Sequence, residues 1–225
     1  VNRELWEEGF SFLESNGVSF SAEGRRVLEG QCERFLSILL KKNEVLNLTA
    51  IRSPEDAFWK HLIDSFLLLS FEPMAGILDW GTGGGIPGIP YLLAKNARGE
   101  KGSVVFLDSV GKKVRAVEEF LEALDLVGSA RCVHSRGEDF LVKGNLQGID
   151  TVVMRAVAPT ERAKKWISLP APLERWILFL GPQQLDLWRA EEKFLKKRGF
   201  GFGRRQTFQL PAEIGQRVLL ELKKN

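Results

Sequence analysis

The stretch Ile77-Leu78-Asp79-Trp80-Gly81-Thr82-Gly83-Gly84-Gly85-Ile86-Pro87-Gly88-Ile89-Pro90 constrains this 225-residue chain more than any other. Ile77 and Leu78 read as the end of a buried strand, and Asp79 stands where that strand should stop. Glycines at 81, 83, 84, 85 and 88 let the backbone turn tightly and approach a ligand with no Cβ in the way. Pro87 occupies the place of a first helical residue, with φ already set for a helix. The chain is then apolar and helix-compatible to Ala94. A strand, a glycine loop and a helix start, in that order, make a nucleotide or nucleoside site at the carboxyl end of a parallel strand.

Two ligand templates fit the loop. Gly83, Gly85 and Gly88 satisfy G-x-G-x-x-G, the dinucleotide fingerprint. Asp79, Gly81, Gly83 and Gly85 satisfy D-x-G-x-G-x-G, the first motif of Rossmann-like S-adenosylmethionine (SAM) methyltransferases. A pyrophosphate calls for N–H groups and a helix dipole, not a neighbouring carboxylate. A sulfonium with an amino-acid tail accepts one, so Asp79 tips the reading to SAM. The alternative is that Asp79 only caps the turn through backbone N–H groups.

The rest of the chain alternates in period. Residues 3–16 place Leu5, Trp6, Phe10 and Leu13 on one helical stripe, and Asn16-Gly17 ends it. A second helix, capped by Ser21, should run to about Asn43 and bury Val27, Leu28, Phe35, Ile38 and Leu39. Ser53-Pro54-Glu55-Asp56 is a strong helix start. It opens a third helix with Phe58, Leu62, Phe66 and Leu69 on one side and Lys60, His61, Asp64 and Ser65 on another. Glu72-Pro73 closes the helical region. Beyond Ile77 the expected elements are a strand at 103–107 ending at Asp108, a helix at 112–126 and a strand at 130–134. Further strands are expected at 149–154, ending at Arg155, and at 176–180, then a helix at 185–197 and a closing antiparallel pair at 202–210 and 217–222. Such alternation predicts an α/β fold with a mostly parallel sheet covered on both faces. We therefore expect a helical N-terminal extension over 1–72 and a Rossmann-like domain over 73–225. Right-handed crossovers place the strands' carboxyl ends on one edge. That edge should gather Asp79 and the glycine loop, Asp108, the segment after His134, and Arg155 into one pocket.

Each pocket candidate has two readings. Asp108, just over 20 residues past the loop, is placed to bind ribose hydroxyls, or else to cap the next helix. Gly137-Glu138-Asp139 meets an adenine or is a solvated acidic loop. Arg155 is a cation at the pocket mouth or a surface snorkel. His61 is a substrate contact or a satisfied half-buried histidine, and taken alone the second reading is the stronger. Hydrophobic residues make up 44% and charged residues 27%, so a full core can form. The net charge of +3 suits a nucleic-acid partner without requiring one. Two cysteines, Cys32 and Cys132, and no secretory signal lead us to expect free thiols and a cytoplasmic setting. No apolar run approaches the roughly 20 residues of a membrane span. Two histidines and scattered cysteines are too few to build a zinc site, so no metal is expected. No heptad pattern suggests a dimer, and a monomer is expected.

Five motifs in order carry a resemblance. They are Asn47-Leu48-Thr49-Ala50-Ile51, Lys60-His61-Leu62-Ile63-Asp64-Ser65, the LDWGTGGGIPGIP loop, Leu107-Asp108-Ser109 with Lys112-Lys113, and Arg155-Ala156-Val157-Ala158. Together they resemble the GidB/RsmG family, the 7-methylguanosine methyltransferases of bacterial small-subunit (16S) ribosomal RNA, over nearly the whole chain. The resemblance implies a Rossmann-like methyltransferase using SAM on 16S ribosomal RNA or the small ribosomal subunit. It implies that Gly81 and Ile86 contact SAM, that Asp108, Ser109 and Val110 hold the ribose, and that Gly137 and Glu138 meet the adenine. Arg155 would lie at the mouth, with Asn47, His61 and Asp64 beside the pocket as candidate catalytic groups. The chain departs from the family pattern at Leu180, where a Lys is usual before Gly181, and at Val218, where a basic or His residue usually follows Arg217. Trp80 is bulkier than the usual aliphatic residue.

Guanine N7 carries a lone pair and no proton, so this chemistry needs positioning and no general base. Asp64 or Asp79 would steady the cationic product. Lys41, Lys42, Arg52, Lys60, Arg162, Lys164 and Lys165 are candidate phosphate contacts, although each alone reads more simply as part of a solvated face. Three alternatives stay open: a SAM enzyme with another substrate, an NAD-dependent oxidoreductase, and a non-catalytic RNA-binding ribosome-assembly protein.

Overall fold

A computed structural model describes residues 1–143, 146–155, 160–169, 173–211 and 214–225, without the Arg162 side chain. The Ala156-Val157-Ala158 run and the Arg162 side chain therefore lie outside the described residues. The chain opens with helices α1 (Arg3–Ser15) and α2 (Ala22–Leu46), capped by the side chains of Asn2 and Ser21, which accept from Leu5 N–H and Gly24 N–H. Helix α2 runs past Asn43 and stops where Asn47 takes the left-handed conformation (φ 49°). The third expected helix is one continuous rod of four segments: α3 (Pro54–Ala57), a π-helical turn (Phe58–Ile63), α4 (Asp64–Phe66) and a 3-10 turn (Leu67–Phe71). A π turn carries one extra residue per turn and re-aims the side chains beyond it. Of the expected polar face, Lys60 is half-buried while His61, Asp64 and Ser65 are buried.

The sheet follows as β1 (Ile77–Trp80), β2 (Val104–Asp108), β3 (Ala130–His134), β4 (Thr151–Arg155), β5 (Arg175–Leu180), β6 (Phe200–Gln209) and β7 (Gln216–Lys224). Its order is β3-β2-β1-β4-β5-β7-β6. The first five strands are mutually parallel, and β7 joins β5 and β6 antiparallel. This is the mostly parallel sheet with a closing antiparallel pair that alternation predicts. Between strands lie α5 (Gly88–Ala97), α6 (Gly111–Ala123), α7 (Gly137–Lys143), α8 (Thr160–Ile167), α9 (Pro182–Arg189) and α10 (Glu192–Lys197). Three local expectations are corrected. Residues 137–139 are the first turn of α7, not a loop. A helix, α8, stands at 160–167, where none is expected. The expected helix at 185–197 is two, broken after Arg189.

Side chains alternate across each strand, and this sorts the sheet residues into two cores. Ile77, Phe106, Val153, Ile177, Phe179 and Leu219 face one way. They share a core with Trp6, Phe10, Leu13, Phe35, Leu39, Phe58 and Phe66, so the N-terminal helices pack directly on this face. Leu78, Trp80, Leu107, Met154, Leu178 and Leu220 face the other way, against α7 to α10. The same parity puts Asp79, Asp108, Arg155 and Arg217 on the face that the N-terminal helices cover.

Candidate active site

The loop after β1 is built by glycines in positive-φ conformations: Gly81 (73°), Gly83 (58°) and Gly85 (84°). An added Cβ at Gly88 would overlap the Phe106 ring, which fixes how closely α5 approaches β2. Pro87 is not the first helical residue; it precedes α5, which starts at Gly88. Asp79 is 1% exposed. Its Oδ2 accepts from Thr82 Oγ1 at 2.7 Å and from Gly88 N–H at 3.0 Å. The carboxylate therefore clamps both ends of the loop, the turn-capping alternative. Burial raises its pKa to about 6, against the lowering effect of the Thr82 and Gly88 bonds.

Beside the loop the carboxyl edge opens into a cleft of about 360 Å³. Of the residues expected to bind cofactor, Gly81, Asp108, Ser109, Val110, Gly137 and Glu138 line it. Asp108 also ties the loop to β2: its Oδ2 accepts from Gly83 N–H at 3.0 Å and its Oδ1 from Val110 N–H at 2.9 Å. It does not cap α6, whose N-cap residue is Val110. Asp79, Gly83, Gly85, Ile86 and Arg155 are not on the cleft wall. Ile86 sits in the apolar core shared with the N-terminal helices. The cleft adds residues that were not singled out for it: Trp80, Leu107, Lys113, Ser135, Arg136 and Trp166. Ser135 and Arg136 lie in the segment after His134 that topology pointed to. Trp166 had no signal, since nothing in the sequence says which strand end a distant helix will reach.

The donor set fits an adenosine. Ribose hydroxyls need an acidic acceptor, which Asp108 offers at the end of β2. A purine needs a flat apolar wall, which the Trp80 and Trp166 indoles supply. An added Cβ at Gly137 would overlap the Trp80 indole, so this wall requires glycine there.

A second polar cluster lies on the same edge, inside the protein. Asp64 is fully buried, and each of its oxygens accepts from an arginine: Oδ2 from Arg155 Nε at 3.0 Å, Oδ1 from Arg217 Nε at 2.7 Å. Arg155 also donates to the Lys60 carbonyl, and its Nη1 is 3.5 Å from His61 Nδ1. His61 Nε2 meets Thr49 Oγ1 at 2.9 Å. Burial, with Arg155 adding to it, lowers the His61 pKa to about 3, so the ring is neutral. Arg155 is thus turned into the helical extension rather than toward the cleft, and Asp64 is spent on two guanidinium groups. Asn47 is exposed and forms the C-cap of α2, with Arg52 donating to its Oδ1 at 3.3 Å. These positions do not support Asp64 or Asp79 as the group that steadies a cationic product.

Residues 29–204 match the GidB family, rRNA small subunit methyltransferase G. The ribosomal RNA small subunit methyltransferase G of Pseudomonas putida (strain GB-1) is 32% identical over 211 residues, covering 92% of this chain and 90% of its own. That of Legionella pneumophila (strain Lens) is 35% identical over 164 residues, covering 73% and 70%. The chain belongs to this family. It is accordingly a SAM-dependent methyltransferase. The fold agrees with solved structures at low identity. An O-methyltransferase from Bacillus cereus in complex with SAH aligns at TM-score 0.55 and 16% identity, over 84% of this chain and 90% of that one. M. capricolum TrmK in complex with S-adenosylhomocysteine (SAH) aligns at 0.50 and 18%, over 67% and 62%. The family's two departures at Leu180 and Val218 are one event in space. They are cross-strand partners between β5 and β7, both buried on the sheet face that α9 covers. They form an apolar cross-strand pair, and a cation introduced at either position would be buried beside apolar neighbours.

Proposed function

We propose that this protein transfers the methyl group of SAM to N7 of a guanine in 16S ribosomal RNA. The observation that carries the reading is the cleft at the glycine loop, where Gly81, Asp108, Ser109, Val110, Gly137 and Glu138 meet in a member of this family. Asp108 and Ser109 would hold the ribose, and residues 135–138 with the Trp80 and Trp166 indoles would enclose the adenine. When bound, SAM supplies an electrophilic methyl on a sulfonium. The acceptor nitrogen has no proton to lose, so the protein's task is to align it and exclude competing water. The titratable side chains fit that division of labour: His61 is neutral and internally bonded, and Asp79 is committed to the loop.

RNA affinity would come from exposed cations. Lys41, Arg52 and Lys165 are exposed. Lys42 pairs with Glu119, Lys60 with Asp56, and Lys164 with Glu161 and Glu191. The first three are therefore the better phosphate contacts. No helix among the described residues is long and apolar enough to cross a membrane, and no cluster among them would hold a metal ion. In this reading the enzyme acts as a monomer in the cytoplasm. The test is to incubate the protein with methyl-labelled SAM and small ribosomal subunits lacking the modification, then map the label. Label on one guanine N7 supports the proposal; label elsewhere or none would end it.

A further inference from the structure

Glu138 is an exposed residue on a short helix, and an exposed Glu side chain samples many rotamers. Trp166 restricts that freedom. Trp166 Nε1 donates to Glu138 Oε1 at 2.6 Å. Trp166 is only 5% exposed and reaches the cleft from α8, an element distant in sequence. Its ring lies against Trp80 with centroids 4.7 Å apart and planes at 34°, and Trp80 in turn packs on Trp176 at 5.9 Å. The row of indoles leaves Trp166 little rotational freedom, so its N–H points in a fixed direction. The contrast within the row is instructive: the buried Trp176 Nε1 has no hydrogen-bond partner, whereas that of Trp166 is aimed at a carboxylate on the cleft wall.

We infer that Trp166 is a positioning residue that holds the Glu138 carboxylate for recognition of the purine's exocyclic amine. The inference rests on the reading of the cleft as the adenosine site. A carboxylate held against the wall accepts from an amine and repels a carbonyl at the same ring position. Selectivity for a 6-amino purine then depends on a residue more than 25 positions away from the carboxylate it orients.

The test is calorimetric binding of SAH and of its inosine analogue, in which the 6-amino group is a carbonyl. The wild type should prefer SAH. Trp166→Phe keeps an aromatic ring and deletes the N–H; it should lose about tenfold in affinity for SAH, the size of one charge-assisted hydrogen bond, and less than twofold for the analogue. Glu138→Gln should lose the same preference, and the double variant should be no worse than either single one. A melting temperature near wild type shows that Trp166→Phe is folded. Equal losses for both ligands in Trp166→Phe, or none, would overturn the inference. Equal wild-type affinity for the two ligands would overturn it alone, leaving the cofactor site standing. Wild-type binding of neither would overturn both readings.

Discussion

The cleft at the ends of β1 to β3 and the ion cluster under β4 and β7 occupy the same edge of one sheet, yet they use polar groups in opposite ways. In the cluster every bond is internal: Asp64 meets two arginines, and Arg155 and His61 find partners on the helical extension. In the cleft, Asp108 accepts from two loop N–H groups and Glu138 accepts from Trp166, and both still line an open space. Buried polar groups that satisfy one another hold parts of a protein together, whereas anchored groups facing a cavity are available to a ligand. Charge alone does not separate the two. Both regions contain acids and cations; what differs is whether the groups also line an open cavity.

That difference predicts which quantity each substitution moves. The largest effect should come from Asp64→Ala, which strands two arginines beneath the helical extension and should cost about 4 kcal/mol in urea unfolding. A loss under about 1 kcal/mol would show that the cluster does not tie the extension to the sheet. Gly137→Ala comes next, since its methyl must displace the Trp80 indole. It should cost about 2–3 kcal/mol of stability and also most SAM affinity, with partial recovery in Gly137→Ala/Trp80→Leu. No recovery would place the fault elsewhere than that overlap.

Acid titration sharpens the comparison further. His61 has its folded pKa lowered to about 3, so the stability it contributes is full at neutral pH and is lost as pH falls through 6.5 toward 3. Asp79 has its folded pKa raised to about 6, so its contribution runs the other way, falling as pH rises from about 4 to 6. Between pH 4 and 6 the two slopes oppose each other. Asp79→Asn should make the protein lose stability on acidification by about 2–3 kcal/mol more than wild type, and His61→Gln by a similar amount less. Parallel profiles for all three proteins would rule out this account. The smallest effects belong to the surface. Lys41→Ala, Arg52→Ala and Lys165→Ala should each reduce the salt dependence of RNA binding by about one phosphate contact, leaving SAM affinity alone. An unchanged slope would remove that residue from the interface.

Much of this was legible in residues 77–90. Asp79, the glycines and the helix that follows specify strand, loop and helix by local stereochemistry alone, and Asp108 is found by counting on to the end of the next strand. The alternation of periods led to the parallel sheet and the antiparallel closing pair, because burial on a sheet face imposes period two and burial of a helix stripe imposes 3.6. What pattern missed were features with no local cause. The π turn at Phe58–Ile63 and the break after Arg189 come from fitting a rod to neighbours, and α7 is too short to show a period. Arg155 was placed at the right strand end with the wrong orientation. Its strand position has the parity of Val153, and only the packing of the helical extension on that face turned a mouth cation into an internal tie.

By itself the sequence determined the strand–loop–helix unit, the acid at the end of β2, the fold class and the family, since each depends on residues close together or on a spacing the chain carries with it. Tertiary structure decided which acids remain open to a ligand. Asp64 is withdrawn by Arg155 and Arg217. It also brought Trp166 to Glu138 and Leu180 opposite Val218. The physical reason is the same in each case. Hydrogen-bonding capacity is spent on whichever group arrives within about 3 Å, and for residues this far apart in the chain only the assembled fold sets that distance.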